Sequence, residues 1–138
     1  MPRICRVVLP GVPHHVTQRG NRGEPIFFTT PDRDEYLKIL GDSCKQYGVE
    51  VWAYCLMDNH VHLLVVPGAT GSLALGIGRA HRAHAVRVNL RRKLQGHLWS
   101  ERFFSTPLDE HHLWAAARYI ERNPLRAGLA RRAEDYPW

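Results

Sequence analysis

The stretch Val49-Glu50-Val51-Trp52-Ala53-Tyr54-Cys55-Leu56-Met57-Asp58-Asn59-His60-Val61-His62-Leu63-Leu64-Val65-Val66 decides the fold. Two runs rich in β-formers, 49–57 and 60–66, flank Asp58-Asn59, a pair that turns readily, so they read as an antiparallel hairpin. Upstream, Thr30-Pro31-Asp32 reads as a helix start with Thr30 as N-cap and proline in the first turn. Tyr36, Ile39, Leu40, Ser43, Cys44 and Tyr47 then recur at helical spacing until Gly48 stops the helix. Before it, His14–Arg19 reads as a strand, Gly20-Asn21-Arg22-Gly23 as a turn in which glycine and asparagine tolerate positive φ, and 24–29 as a short second strand. Downstream, 72–94 reads as a helix of ambiguous face, because Arg87 falls among Ala80, Ala83 and Leu90. Residues 97–106 offer one more strand, and Asp109 caps a helix to about Arg122 with Leu113, Ala116, Ala117 and Ile120 as its apolar stripe. This order predicts an α+β fold: a ferredoxin-like antiparallel βαββαβ sheet with an added C-terminal helix.

A chain of 138 residues suits one domain over 1–138. With 44% hydrophobic and 23% charged residues it has a globular balance, and no apolar run reaches the roughly 18 residues of a membrane span. Residues 1–10 lack the apolar stretch of a signal peptide. Cys5, Cys44 and Cys55 show no CxxC spacing, which argues against a disulfide framework and against a cysteine zinc site. The expected location is the cytoplasm, with no membrane partner. Nineteen Lys+Arg against 13 Asp+Glu give a net charge of +6. All but three of those cations are arginine, whose planar fork suits phosphate and points to nucleic acid.

His60-Val61-His62 is the most informative tripeptide. Side chains at i and i+2 of a strand share a face, so both imidazoles can converge on one metal while Val61 enters the opposite, apolar layer. The same spacing also suits a solvated strand face. Tyr119 and Asn123, four residues apart, share a helix face, with His112 two turns earlier. A tyrosine hydroxyl there can attack phosphorus and the amide can complete a metal site. Alternatively, Tyr119 is half-buried core and Asn123 caps a short turn beginning at Pro124. Arg19, Asn21 and Arg22 on their turn, and Arg79, Arg82 and Arg87 on the second long helix, are DNA-binding candidates, although each group also suits a solvated surface. His14, His15, His81, His84, His97 and His111 show no competing ligand spacing, and Trp52, Trp99 and Trp114 read most simply as core, although one exposed ring could stack on an unpaired base.

Three blocks extend the reading: residues 10–21, with His14-His15-Val16-Thr17 and Arg19-Gly20-Asn21; residues 54–64, with Met57-Asp58-Asn59-His60-Val61-His62; and residues 119–129, with Tyr119-Ile120-Glu121-Arg122-Asn123-Pro124. Together they resemble the HUH-type single-tyrosine (IS200-like) transposases, specifically the REP-associated branch. The resemblance implies His60, His62 and Asn123 as metal ligands for Mg2+ or Mn2+ and Tyr119 as nucleophile. It further implies single-stranded DNA with a hairpin as substrate, a 5′-phosphotyrosine intermediate, a place at the bacterial nucleoid, and a monomer or homodimer. Two rivals remain: a noncatalytic ferredoxin-like nucleic-acid-binding module, and a metallohydrolase that uses metal-bound water.

Overall fold

The computed structural model describes residues 6–126 and 137–138, with the side chains of 123–126 outside that description. In chain order the main elements are β1 (His14–Arg19), α1 (Thr30–Tyr47), β2 (Val49–Leu56), β3 (His60–Pro67), α2 (Ser72–Arg92), β4 (Phe104–Pro107) and α3 (Glu110–Arg126). The four strands form one sheet in the order β2-β3-β1-β4 with every neighbouring pair antiparallel. This is the ferredoxin-like arrangement that the element order predicts.

Alternation along the strands divides the core in two. Val16, Val61, Leu63 and Val65 face α1 and α2, where Tyr36, Leu40, Leu73, Ile77 and Ala80 complete the main core. On the other face Cys55, Met57 and Leu64 pack with Ile120 of α3, flanked by Leu113 and Ala117. The α2 face is settled by burial of Leu73, Ile77, Ala80, His81, His84 and Val88, which leaves Arg87 and Leu90 exposed.

Several local expectations need correction. The N-cap of α1 is Thr29: its hydroxyl accepts from the Asp32 N–H, and the Asp32 carboxylate accepts from the Thr29 N–H, a reciprocal box one residue earlier than Thr30. Gly48 ends α1 at φ 72°. Residues 24–29 form no strand, because their N–H groups are already engaged. Those of Ile26 and Phe27 donate to Asp58 O, and those of Phe28 and Thr29 donate to the Asp32 carboxylate. Of the strand expected over 97–106 only 104–106 lies in the sheet, within β4, while Trp99 makes one isolated antiparallel bridge to Gly20. Trp99 is buried, whereas Trp52 at the β2 irregularity and Trp114 on α3 are 52% and 66% exposed.

In the turn after β1, positive φ falls on Arg22 (57°) and Gly23 (70°) rather than on Asn21. Gly20 serves close approach instead: a Cβ there would lie 2.0 Å from Glu24 O. Its own N–H donates to Asn59 O at 2.8 Å, while the Asn21 N–H donates to Leu98 O at 2.8 Å. The turn is thereby clamped between the hairpin tip and the segment before β4.

Candidate active site

The site builds outward from β3. Its neighbour β1 places Thr17 opposite His62 and Arg19 opposite His60, so His15, Thr17 and Arg19 share the histidines' face. The His60 and His62 ring centroids are 4.9 Å apart and nearly perpendicular. From the covering helix, Tyr119 brings its ring to 5.4 Å from that of His62, edge to face. Tyr119 is 40% exposed, so a substrate can reach it. One strand and a helix thus bring His60, His62 and Tyr119 together.

The second nitrogens of both histidines are oriented by neighbours. Nδ1 of His60 lies 2.7 Å from Asn59 Oδ1, an acceptor, so this nitrogen carries the proton and Nε2 carries the lone pair. Asn59 is itself oriented, since its Nδ2 donates to Gly23 O at 3.2 Å. Nδ1 of His62 faces His15 Nε2 at 3.1 Å. His62 Nε2 is buried and has no hydrogen-bond partner among the described residues. A buried polar atom left so is costly, and a cation on its lone pair removes that cost. With Nδ1–H donating to His15, the His62 lone pair sits on Nε2, the arrangement usual for a metal-bound imidazole.

Electrostatics favour the neutral rings that ligation needs. Burial, then the charges of His60, His15 and Arg19, push the His62 pKa down to about 3. Burial and Arg19 lower that of His60, and burial lowers that of His15. Among the described residues no three His, Cys, Asp or Glu side chains form a metal cluster. A metal held by the two imidazoles therefore needs a further donor, and an amide meets the requirement. Asn123 lies in α3 one turn beyond Tyr119, and its side chain is outside the described residues. The helix runs on through Pro124 to Arg126, so no separate short helix starts at Asn123.

Other candidates are distributed more widely. Arg19 and Arg22 are exposed beside the site, and Arg22 adopts the left-handed conformation that a non-glycine residue rarely takes. Arg79, Arg82 and Arg87 lie on α2, behind the opposite face of the sheet. Arg79 stands over the Tyr47 ring, Arg87 pairs with Glu35, and Arg82 lines a groove of about 1370 Å³ together with Arg6, His97 and Arg102. His112 binds Asp109 at the start of α3 and stays outside the site. His81 and His84 are core residues: His81 bonds Tyr36 and Gln18, and His84 Nε2 donates to Ile26 O at 2.9 Å. Sequence reasoning missed His15 and Asn59. His15 has the parity of Thr17 and Arg19, which is a usable signal once β1 is known to lie beside β3.

A family model described as "Transposase IS200 like" matches residues 12–123. The chain belongs to the IS200-like transposase family. No curated protein matches this transposase chain. Among solved structures it is similar to a REP-associated tyrosine transposase bound to a REP hairpin, with TM-score 0.76 and 17% identity over 100% of this chain and 81% of that one. It is also similar to a candidate transposase from Deinococcus radiodurans R1, with TM-score 0.58 and 21% identity over 88% of this chain and 97% of that one. Both likenesses are of fold. Among the described residues of the transposase, no helix is long and apolar enough to cross a membrane.

Proposed function

We propose that the protein is a metal-dependent endonuclease and strand transferase of single-stranded DNA, cutting beside a hairpin through a 5′-phosphotyrosine intermediate. The observation that carries this reading is the buried Nε2 of His62, unpartnered among the described residues, beside the ring of Tyr119. His60 and His62, with Asn123, would hold the ion. Bound there, Mg2+ or Mn2+ supplies Lewis acidity to a non-bridging oxygen of the scissile phosphate. Tyr119 attacks phosphorus in line: its oxygen forms the new P–O bond, the bond to the 3′ oxygen breaks, and the strand leaves with a 3′-hydroxyl. The phenolic proton passes to solvent, and solvent returns a proton to the departing 3′ oxygen. The phosphodiester energy is kept in the covalent link, so rejoining to another 3′-hydroxyl needs no ATP. Arginines of the Arg19–Arg22 turn and of α2 would hold the phosphates of the substrate, with the hairpin stem as the paired part.

The test is to incubate the protein with a single-stranded oligonucleotide carrying a hairpin and an unpaired flank, in the presence of Mn2+, and to look for a protein–DNA adduct. The adduct should map to Tyr119 by mass spectrometry. Tyr119→Phe should fold and bind the DNA yet form no adduct and transfer no strand. Cleavage without a protein-linked product in the wild type would instead establish attack by water.

A further inference from the structure

The register places Phe104, Thr17, His62 and Cys55 in one row across all four strands, and Thr106, His15, Leu64 and Ala53 in the next. Antiparallel partners share a face, so every one of these side chains belongs to the face that carries the candidate site. Helix α3 covers half of that face: Ile120, Leu113 and Ala117 pack with Cys55, Leu64 and Ala53 on β2 and β3. The β1–β4 half carries Phe104, 67% exposed, the exposed Thr106 and Arg19, and the half-buried Thr17.

An apolar ring this exposed gains nothing from burial, whereas the residue just before it, Phe103, is buried in the core under the Arg6 guanidinium. Two strand spacings separate Phe104 from His62, about 10 Å, within reach of a nucleotide next to a phosphate held at His62. The patch pairs a flat π-face with threonine hydroxyls and, on the same face, an arginine, in a chain of net charge +6. That combination of stacking surface and cation suits a single strand, whose bases are free to stack and whose backbone is anionic.

We propose that the β1–β4 half of the sheet, which α3 leaves uncovered among the described residues, is a platform for single-stranded DNA, on which an unpaired base beside the cut stacks against Phe104. The inference rests on the DNA-cutting reading above only for the class of ligand. Because Phe104 is exposed, its replacement leaves the packed core intact, and thermal unfolding verifies this for each variant.

The experiment measures binding of a fluorescein-labelled oligothymidylate and of a blunt hairpin without unpaired flanks, by anisotropy at fixed salt. Phe104→Ala and Phe104→Leu should weaken oligothymidylate binding about 5- to 100-fold while leaving the blunt hairpin unchanged. Phe104→Trp should restore it, and oligothymidylate should quench its emission beyond the quenching of the wild type. Unchanged oligothymidylate affinity in Phe104→Ala, equal losses for both probes, or a Phe104→Leu variant as tight as wild type would overturn the platform. The cleavage reading fails separately. Wild type that binds oligothymidylate through Phe104 yet forms no Tyr119 adduct removes the enzyme and keeps the platform, and an adduct insensitive to Phe104 does the reverse.

Discussion

His15 and His62 stand diagonally across the β1–β3 pair, with His15 Nε2 3.1 Å from His62 Nδ1. In the tautomer in which His15 Nε2 accepts, the His62 proton sits on Nδ1 and the lone pair on Nε2.

Replacing His15 with Phe keeps a ring of similar size and removes the acceptor. Mn2+ affinity, read by isothermal titration calorimetry on the folded variant, should fall about 10- to 100-fold. Unchanged affinity would mean that the orientation of His62 is fixed by its strand alone.

His60→Ala and His62→Ala should each abolish cleavage while retaining most of the DNA affinity, since contacts between arginines and phosphates dominate binding. Chelation of divalent ions should stop wild-type cleavage, and added Mn2+ should restore it. Full cleavage by both variants in metal-matched assays would remove the metal from the mechanism.

Burial, and then neighbouring His84, push the His81 pKa down to about 3. Below pH 6.5 the unfolded chain takes up a proton that folded His81 refuses, so stability falls with pH from about 6.5 towards 3. Each pH unit in that window costs about 1.4 kcal/mol, or ~2 kcal/mol at pH 5. Urea unfolding at pH 7 and pH 5 measures the loss, and His81→Gln should reduce it by that amount. An equal loss in both proteins would place the titration elsewhere.

Gly20→Ala puts a methyl group 2.0 Å from a backbone oxygen, so the turn must shift. A cost of about 2 kcal/mol lowers Tm by roughly 6–10 °C in a domain of this size. The shift also moves Arg19 and Arg22, so DNA affinity should fall beyond the loss seen with Arg22→Ala alone. A Tm within a degree of wild type would show that the 20–24 segment yields freely.

Much of this fold was legible because its signals are local. The Asp58-Asn59 turn, the stop at Gly48, the cap at Asp109 and the i, i+2 placement of His60 and His62 need no knowledge of distant chain. What escaped depends on pairing between remote segments. His15 joins the site only because β1 lies beside β3, some 47 residues away in sequence, and its own neighbourhood says nothing of that partner. Ile26 and Phe27 have strand composition, but Asp58 and Asp32 take up the backbone donors of this segment, so it clasps the hairpin tip and forms no ladder. Trp52 and Trp114 have core composition, yet both ended on the outside. The Phe103-Phe104 pair carries no internal sign of which ring is buried, which only the register of β4 decides.

The two-sided core has a thermodynamic consequence for Tyr119. Helix α3 is docked by the small cluster of Cys55, Met57, Leu64 and Ile120, independent of the larger core beneath α1 and α2. Its detachment therefore exposes far less apolar surface than global unfolding, and the free energy of that opening lies below the stability of the sheet. Amide protons of α3 should exchange with solvent deuterium through this partial opening, ahead of those of α1, α2 and β3. The proposed nucleophile would thus ride on a helix that opens ahead of the sheet, while the histidines it must meet stay fixed in that sheet.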